Sequence, residues 1–144
     1  MRDDNCLFCR IVSGEVAATV VYEDENSFAF LDHRPLFPGH TLLVPREHVE
    51  TLGDLPDSKV EPYFKAAQLL ARAVESGLEA EGTFVAMNNR VSQSVPHLHV
   101  HVVPRRRKDG LKGFFWPRTK YKGEEEMNLV KSKIATALKK LERN

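Results

Sequence analysis

The chain has 144 residues, 42% of them hydrophobic and 28% charged, which is close to the globular average and long enough for a core without covalent staples. Lys and Arg number 21 against 20 Asp and Glu, a formal net charge of +1, which argues against binding nucleic acid polymers or acidic lipid through bulk charge. Two cysteines are too few for a disulfide-stapled secreted domain, no apolar run approaches the ~20 residues of a membrane span, and residues 1–30 carry no signal-peptide pattern, so a cytoplasmic protein is expected.

Residues 6–13 place Phe8, Ile11 and Val12 at helical spacing and stop near Gly14, which suits a short helix. The β-branched run 19–23 and the run SFAFL at 27–31 read as two strands of a hairpin, joined by Asp24-Glu25-Asn26. Pro35 and Pro38 hold a loop before a third strand, HTLLV at 40–44, which Pro45 ends. Leu55-Pro56-Asp57 opens a long helix to about Leu78, with Val60, Phe64, Ala67, Leu70, Val74 and Leu78 recurring at three and four. Gly82 breaks it. TFVAM at 83–87 reads as a fourth strand and 94–103 as a fifth, with Pro96 marking a bent or edge end. A Gly- and Lys-rich connection, 108–122, carries Phe114-Phe115-Trp116-Pro117. The final helix spans about Glu124 to Glu142, with Met127, Val130, Ile134, Leu138 and Leu141 on one side, acids at its positive end and lysines at its negative end. The order predicts an α+β domain over 1–144: an antiparallel five-stranded sheet, a long helix and a C-terminal helix.

The most informative stretch is His97-Leu98-His99-Val100-His101-Val102-Val103. Alternation along a strand puts the three imidazoles on one face, about 6.6 Å apart at ~3.3 Å rise per residue, and the apolar residues on the core face. Core packing does not explain three alternating histidines. Two chemistries remain: a metal site made by the stripe, or a row of imidazoles facing a phosphate with one as nucleophile. The spacing suits a division of labour better than three adjacent ligands on one ion.

Together with Pro104-Arg105 after the stripe, Phe30-Leu31-Asp32, the run Pro38-Gly39-His40-Thr41-Leu42-Leu43-Val44-Pro45, His48 and the pair Cys6-Leu7-Phe8-Cys9, the chain resembles the histidine triad (HIT) nucleotide hydrolases and transferases, in their zinc-bearing bacterial form. The motif-bearing part is 6–105; the aromatic loop and helix at 108–144 carry no motif. The resemblance implies a HIT-like fold and a nucleotidyl-histidine intermediate on His99, with His101 on the phosphoryl oxygens, His40 buttressing the cluster and Ser94 donating to phosphate or leaving group. It also implies that Asp32 binds the ribose, that Phe8, Ile11 and Phe30 line the base pocket, and that His33 meets the base edge. Asn88 (or Asn89) and Gln93 supply further polar contacts. Phe28 and Phe30 share one strand face, so ordinary core remains a reading for both.

Cys6-x-x-Cys9 is a metal pair, a redox pair or two free thiols; with His48 and His97 it makes a closed Cys₂His₂ zinc set, structural because no position stays open for water. Arg105-Arg106-Arg107-Lys108 is either a solvated loop or a steering patch for a polyphosphate tail. The aromatic cluster at 114–117 is folded over the core or buried in a homodimer contact, as the resemblance favours. The expected substrate is a purine nucleotide adduct: a dinucleoside polyphosphate, a phosphoramidate or an adenylylated small molecule. The alternatives are a nucleotidyl transferase or phosphorylase, and a low-turnover nucleotide-binding sensor.

Overall fold

The computed structural model describes residues 2–111 and 118–142. Its elements run α1 (Leu7–Val12), β1 (Val20–Glu23), β2 (Ser27–Leu31), β3 (Thr41–Pro45), a 3-10 turn at Leu52–Asp54, α2 (Asp57–Gly77), β4 (Gly82–Ala86), β5 (Val100–Arg105) and α3 (Glu124–Glu142). The five strands form one antiparallel sheet in the order β1-β2-β3-β5-β4. The α+β expectation holds. The fifth strand starts at Val100, later than the apolar pattern suggested, because residues 94–97 bend and 98–99 lie outside the ladder.

Both faces of the sheet are covered, which is why β2 and β3 read as unbroken apolar runs. Ala29, Leu43, Leu98, Val100 and Val102 pack against Tyr63, Ala66, Ala67, Leu70 and Val74 of α2. On the other face Phe28, Phe30, Leu42 and Val44 pack with Cys6, Phe8, Cys9 and Ile11 of the α1 region. The α2 stripe is rotated from the expected one: Tyr63 is 1% exposed and Phe64 is 43% exposed. The reason is polar. The buried Tyr63 hydroxyl donates to the Leu43 carbonyl at 2.8 Å, a bond that a phenylalanine could not make.

The basic run is tied down locally. Arg105 grips Asp109 at 2.6 and 3.1 Å, Arg106 donates to the Leu78 carbonyl at the end of α2, and Arg107 pairs with Glu81. The chain divides into two compact units, up to Asp109 and from Gly110 onward. In the second unit α3 carries Glu124, Glu125 and Glu126 in its first turn and Lys139 and Lys140 in its last, as the macrodipole favours. The aromatic cluster Phe114-Phe115-Trp116-Pro117 lies outside the described residues. Among the described residues, no helix is long and apolar enough to cross a membrane.

Gly39 turns the chain into β3 with φ +102°, and a Cβ there would run into Leu78 Cδ1, with Pro104 Cγ at 3.5 Å. Gly39→Ala should therefore lower stability by about 1–3 kcal/mol, read as a shift of the denaturation midpoint. An unchanged midpoint would mean that the turn relaxes freely.

Candidate functional site

The α1-facing side of β5 and its lead-in carries His97, His99 and His101, as alternation requires. His101 sits within the sheet, opposite Leu42 of β3 and Ala86 of β4. The three rings do not form one cluster of equivalents. His97 turns toward Cys6 and Cys9, while His99 and His101 stay together with centroids 5.0 Å apart.

Backbone groups decide which nitrogen of each ring carries the proton. The Leu36 N–H donates to His40 Nδ1 at 3.1 Å, and an N–H can only donate, so this nitrogen accepts. Burial lowers the His40 pKa and pushes His101 down to about 4, leaving both rings neutral. A neutral His40 then carries its proton on Nε2 and donates it to His101 Nδ1 at 2.9 Å. His101 is left with its proton on Nε2. His99 differs. Its Nδ1 lies 2.7 Å from the His97 carbonyl, so Nδ1 holds the proton and Nε2 the free lone pair. His97 differs again. Its Nε2 donates to the Pro45 carbonyl at 2.8 Å, which turns the Nδ1 lone pair toward the two sulfurs.

Cys6, Cys9, His48 and His97 bring one ligand atom each to within 4.8 Å of one another. Cys6 Sγ to His97 Nδ1 is 3.4 Å, Cys9 Sγ to His97 Nδ1 is 3.6 Å, and Cys9 Sγ to His48 Nδ1 is 3.3 Å. Tetrahedral zinc with the usual Zn–N and Zn–S lengths needs N···S edges of about 3.6 Å. Burial, with the Cys6 sulfur alongside, pushes the Cys9 thiol up, so two thiolates here call for a cation between them. The donor set therefore fits a metal ion. Asp3 adds an outer contact absent from the sequence reading: its N–H donates to Cys9 Sγ at 3.5 Å and its carboxylate lies 4.0 Å from His48 Nε2. Asp32, His40 and His101 form a second group of ligand types, but the Leu36 N–H and the proton between the rings already occupy its donor nitrogens.

Next to the rings opens a cleft of about 590 Å³ between α1 and β2, lined by Leu7, Ile11, Val16, Phe30, Asp32 and His33 among others. Of the residues expected to meet substrate, Ile11, Phe30, Asp32 and His33 line it. Phe8 stands behind, edge-on to His99 at 5.1 Å and to Phe30 at 5.4 Å. Asp32 is fixed by the Arg34 N–H at 2.9 Å and lies 3.8 Å from His40 Nδ1.

The remaining expected residues are on the loop between β4 and the histidines. Gln93 accepts the Arg90 N–H and donates to the Glu50 carbonyl, Asn88 donates to the Ser92 carbonyl, and Ser94 is exposed. Asn89 accepts the Leu52 N–H at 2.8 Å. Arg90 and Ser92 hold φ of +72° and +61°, conformations that a non-glycine residue keeps only where its surroundings impose them.

A family model described as the HIT domain matches residues 13–108. A protein of Bacillus subtilis named "Protein hit" is 37% identical over 139 residues, covering 94% of this chain and 95% of its own. Among solved structures, a zinc-bound histidine triad family protein from Mycobacterium smegmatis is 40% identical with a TM-score of 0.71, covering 92% of this chain and 95% of that one. A HIT family hydrolase from Legionella pneumophila is 38% identical with a TM-score of 0.62, covering 78% and 98%.

The neutral pair has a consequence for stability. In the unfolded chain His101 titrates near 6.5, and in the folded chain near 4. Between those values the unfolded state binds more protons, so the stability contributed by the neutral ring is complete above pH 6.5 and is lost as pH falls toward 4. His101→Asn should therefore lose about 1–2 kcal/mol less than wild type on going from about pH 7 to about pH 5, measured by chemical denaturation. Parallel pH profiles would contradict a buried neutral His101.

Proposed function

The chain belongs to the HIT family, and on that footing we propose that it is a nucleotide hydrolase that moves a nucleoside monophosphate first onto His99 and then onto water. The observation that carries this reading is the 2.7 Å contact between His99 Nδ1 and the His97 carbonyl, which leaves Nε2 as a lone pair. Neutral imidazole nitrogen is a good nucleophile toward phosphorus, and two displacements have lower barriers than one.

The residues divide the work as follows. His99 Nε2 attacks the α-phosphorus, the P–O or P–N bond to the leaving group breaks, and the electron pair leaves with that group. The phosphorylated ring is then cationic, and the His97 carbonyl, already bonded to Nδ1–H, stabilises that charge at no reorganisation cost. His101 offers its Nε2–H to a phosphoryl oxygen; His40 holds it in that tautomer through the chain that begins at the Leu36 N–H. Ser94 serves the phosphate or leaving group. Water then attacks phosphorus and gives up a proton to solvent, the P–Nε2 bond breaks with its electron pair returning to Nε2, nucleoside monophosphate departs, and His99 is neutral again. The cleft takes the nucleoside: Ile11 and Phe30 face the base, Asp32 accepts from the ribose hydroxyls, and His33 meets the base edge. A cleft of this volume suits one nucleoside monophosphate with its leaving group in solvent, which favours dinucleoside polyphosphates, phosphoramidates or adenylylated small molecules. Zinc on Cys6, Cys9, His48 and His97 would organise structure; with four protein ligands it leaves no open position for a reacting oxygen.

His99→Ala should lower kcat by about 10³-fold or more while nucleotide affinity stays within about tenfold, because contacts made in the transition state are lost and ground-state ones kept. Rapid acid-free quenching of wild type during turnover of labelled substrate should trap nucleotide on His99. Near-normal turnover by the variant would refute the covalent route. Asp32→Ala should raise KM more than it lowers kcat. Metal analysis of protein purified without chelator should find about one zinc per chain; finding none would remove the zinc centre.

A further inference from the structure

His97 takes part in two structures at once. Its ring is one of four clustered donors, and its carbonyl oxygen is the acceptor for His99 Nδ1. Phe8 joins the same two places through packing. It stands between Cys6 and Cys9 on α1, with its ring 6.0 Å from that of His97 and 5.1 Å from that of His99, the latter nearly perpendicular at 86°. The helix that carries Phe8 has six residues and no side-chain N-cap bond. A helix this short has little stability of its own, so its seat depends on what its side chains bind. Two of those side chains are the sulfurs.

We infer that His97 is a positioning residue for His99, and that metal held by Cys6, Cys9, His48 and His97 sets which His99 nitrogen faces the substrate. This rests on the reading of His99 as the nucleophile. With a metal in place, the His97 ring is fixed from both nitrogens: Nδ1 by the metal and Nε2 by the Pro45 carbonyl. A ring fixed at both ends fixes the peptide that follows, and so the direction of the carbonyl that holds the His99 proton. The same ion clamps α1 and presses Phe8 edge-on against the His99 ring. Without the metal, His97 keeps one anchor and α1 loses its link to the sheet through the sulfurs. The carbonyl then swings, and His99 gains access to the tautomer with its proton on Nε2, which has no lone pair to offer phosphorus. Phe30, Asp32 and His33 of the cleft lie on β2 and the turn after it, away from the metal donors, and only the wall formed by Leu7 and Ile11 rides on α1, so nucleotide affinity should change much less than kcat.

The test compares the full chain loaded with zinc and the same chain stripped by a chelator, both labelled with ¹⁵N in histidine. Long-range ¹H–¹⁵N correlation reads the His99 tautomer directly. The loaded protein should show Nδ1–H alone, and the stripped protein should show about a tenth or more as Nε2–H. Turnover of a dinucleoside polyphosphate should fall by about tenfold or more in kcat, with nucleotide Kd changed by less than about threefold, the split expected of a group acting only on the nucleophile. A single Nδ1–H tautomer and unchanged kcat after complete zinc removal would overturn the inference. Should the stripped chain unfold, His48→Asn decides instead. His48 is the least buried of the four donors, and its loss loosens the metal while leaving the core intact. The same tautomer shift and kcat loss are expected there, and their absence in a variant of reduced zinc content would equally overturn it. If zinc-loaded wild type turns over no nucleotide, the nucleophile reading fails on its own, while the tautomer measurement still judges whether metal positions the His99 ring.

Discussion

The hydrogen bond from His99 Nδ1 to the His97 carbonyl is the constraint on which the rest of the site depends. It exists because residues 97–99 lie outside the sheet ladder, which begins at Val100 opposite Leu43. A carbonyl within the ladder would be committed to a neighbouring strand. Two residues of lead-in leave it available to a side chain two positions further on. The Leu98 N–H is taken by the Val49 carbonyl at 2.7 Å, which anchors the lead-in without using that acceptor. Strand β5 thus serves as a rigid mount that carries His101, and the segment just before it carries His97 and His99.

Burial does the second part of the work. Five imidazoles in a small volume would repel one another if protonated. His40, His97 and His101 are instead held neutral by desolvation, His97 and His101 down to about 4. Neutral rings can donate with one nitrogen and accept with the other. His40, His97 and His99 each have one nitrogen committed to a backbone group, and His101 has one committed to His40. The direction of these four rings' protons then follows from groups whose role cannot change, the Leu36 N–H and the carbonyls of Pro45 and His97. The sandwich of the sheet between α1 and α2 supplies that dry environment, so the packing of Phe8, Phe28, Phe30 and Tyr63 is part of the site's electrostatics.

The loop from 87 to 96 shows the opposite strategy. It is polar, exposed at Ser94 and strained at Arg90 and Ser92. Left-handed backbone at two non-glycine residues costs on the order of 1 kcal/mol each. Asn89 and Gln93 hold it there by tying the loop to residues 50–52. Gln93 has one hydrogen bond at each polar end, from the Arg90 N–H and to the Glu50 carbonyl, and so gives the loop its shape.

Much of this was legible in the sequence. The period-two alternation of His97, His99 and His101, the C-x-x-C pair and the proline-bounded third strand are local patterns, and local patterns survive translation into structure because strand and helix periods are properties of the backbone itself. The grouping of Cys6 and Cys9 with His48 and His97 rested on the resemblance of the C-x-x-C pair to that of zinc-bearing members, with His48 left without a catalytic role. What the sequence could not determine was direction. That Tyr63 and not Phe64 faces the core turned on a carbonyl of Leu43, twenty residues away. That β5 starts at Val100 and not near Ser94 turned on pairing with β3, and apolar alternation is the same inside and outside a ladder. Leu36 and Pro45 entered the site through backbone groups, which carry no side-chain signature, and Asp3 entered through its N–H as well as its carboxylate. The sequence by itself determined which chemical groups are present and on which face of a strand they lie; the tertiary structure alone decided where each proton sits, because a tautomer is set by the partner across the fold and not by the residue that carries it.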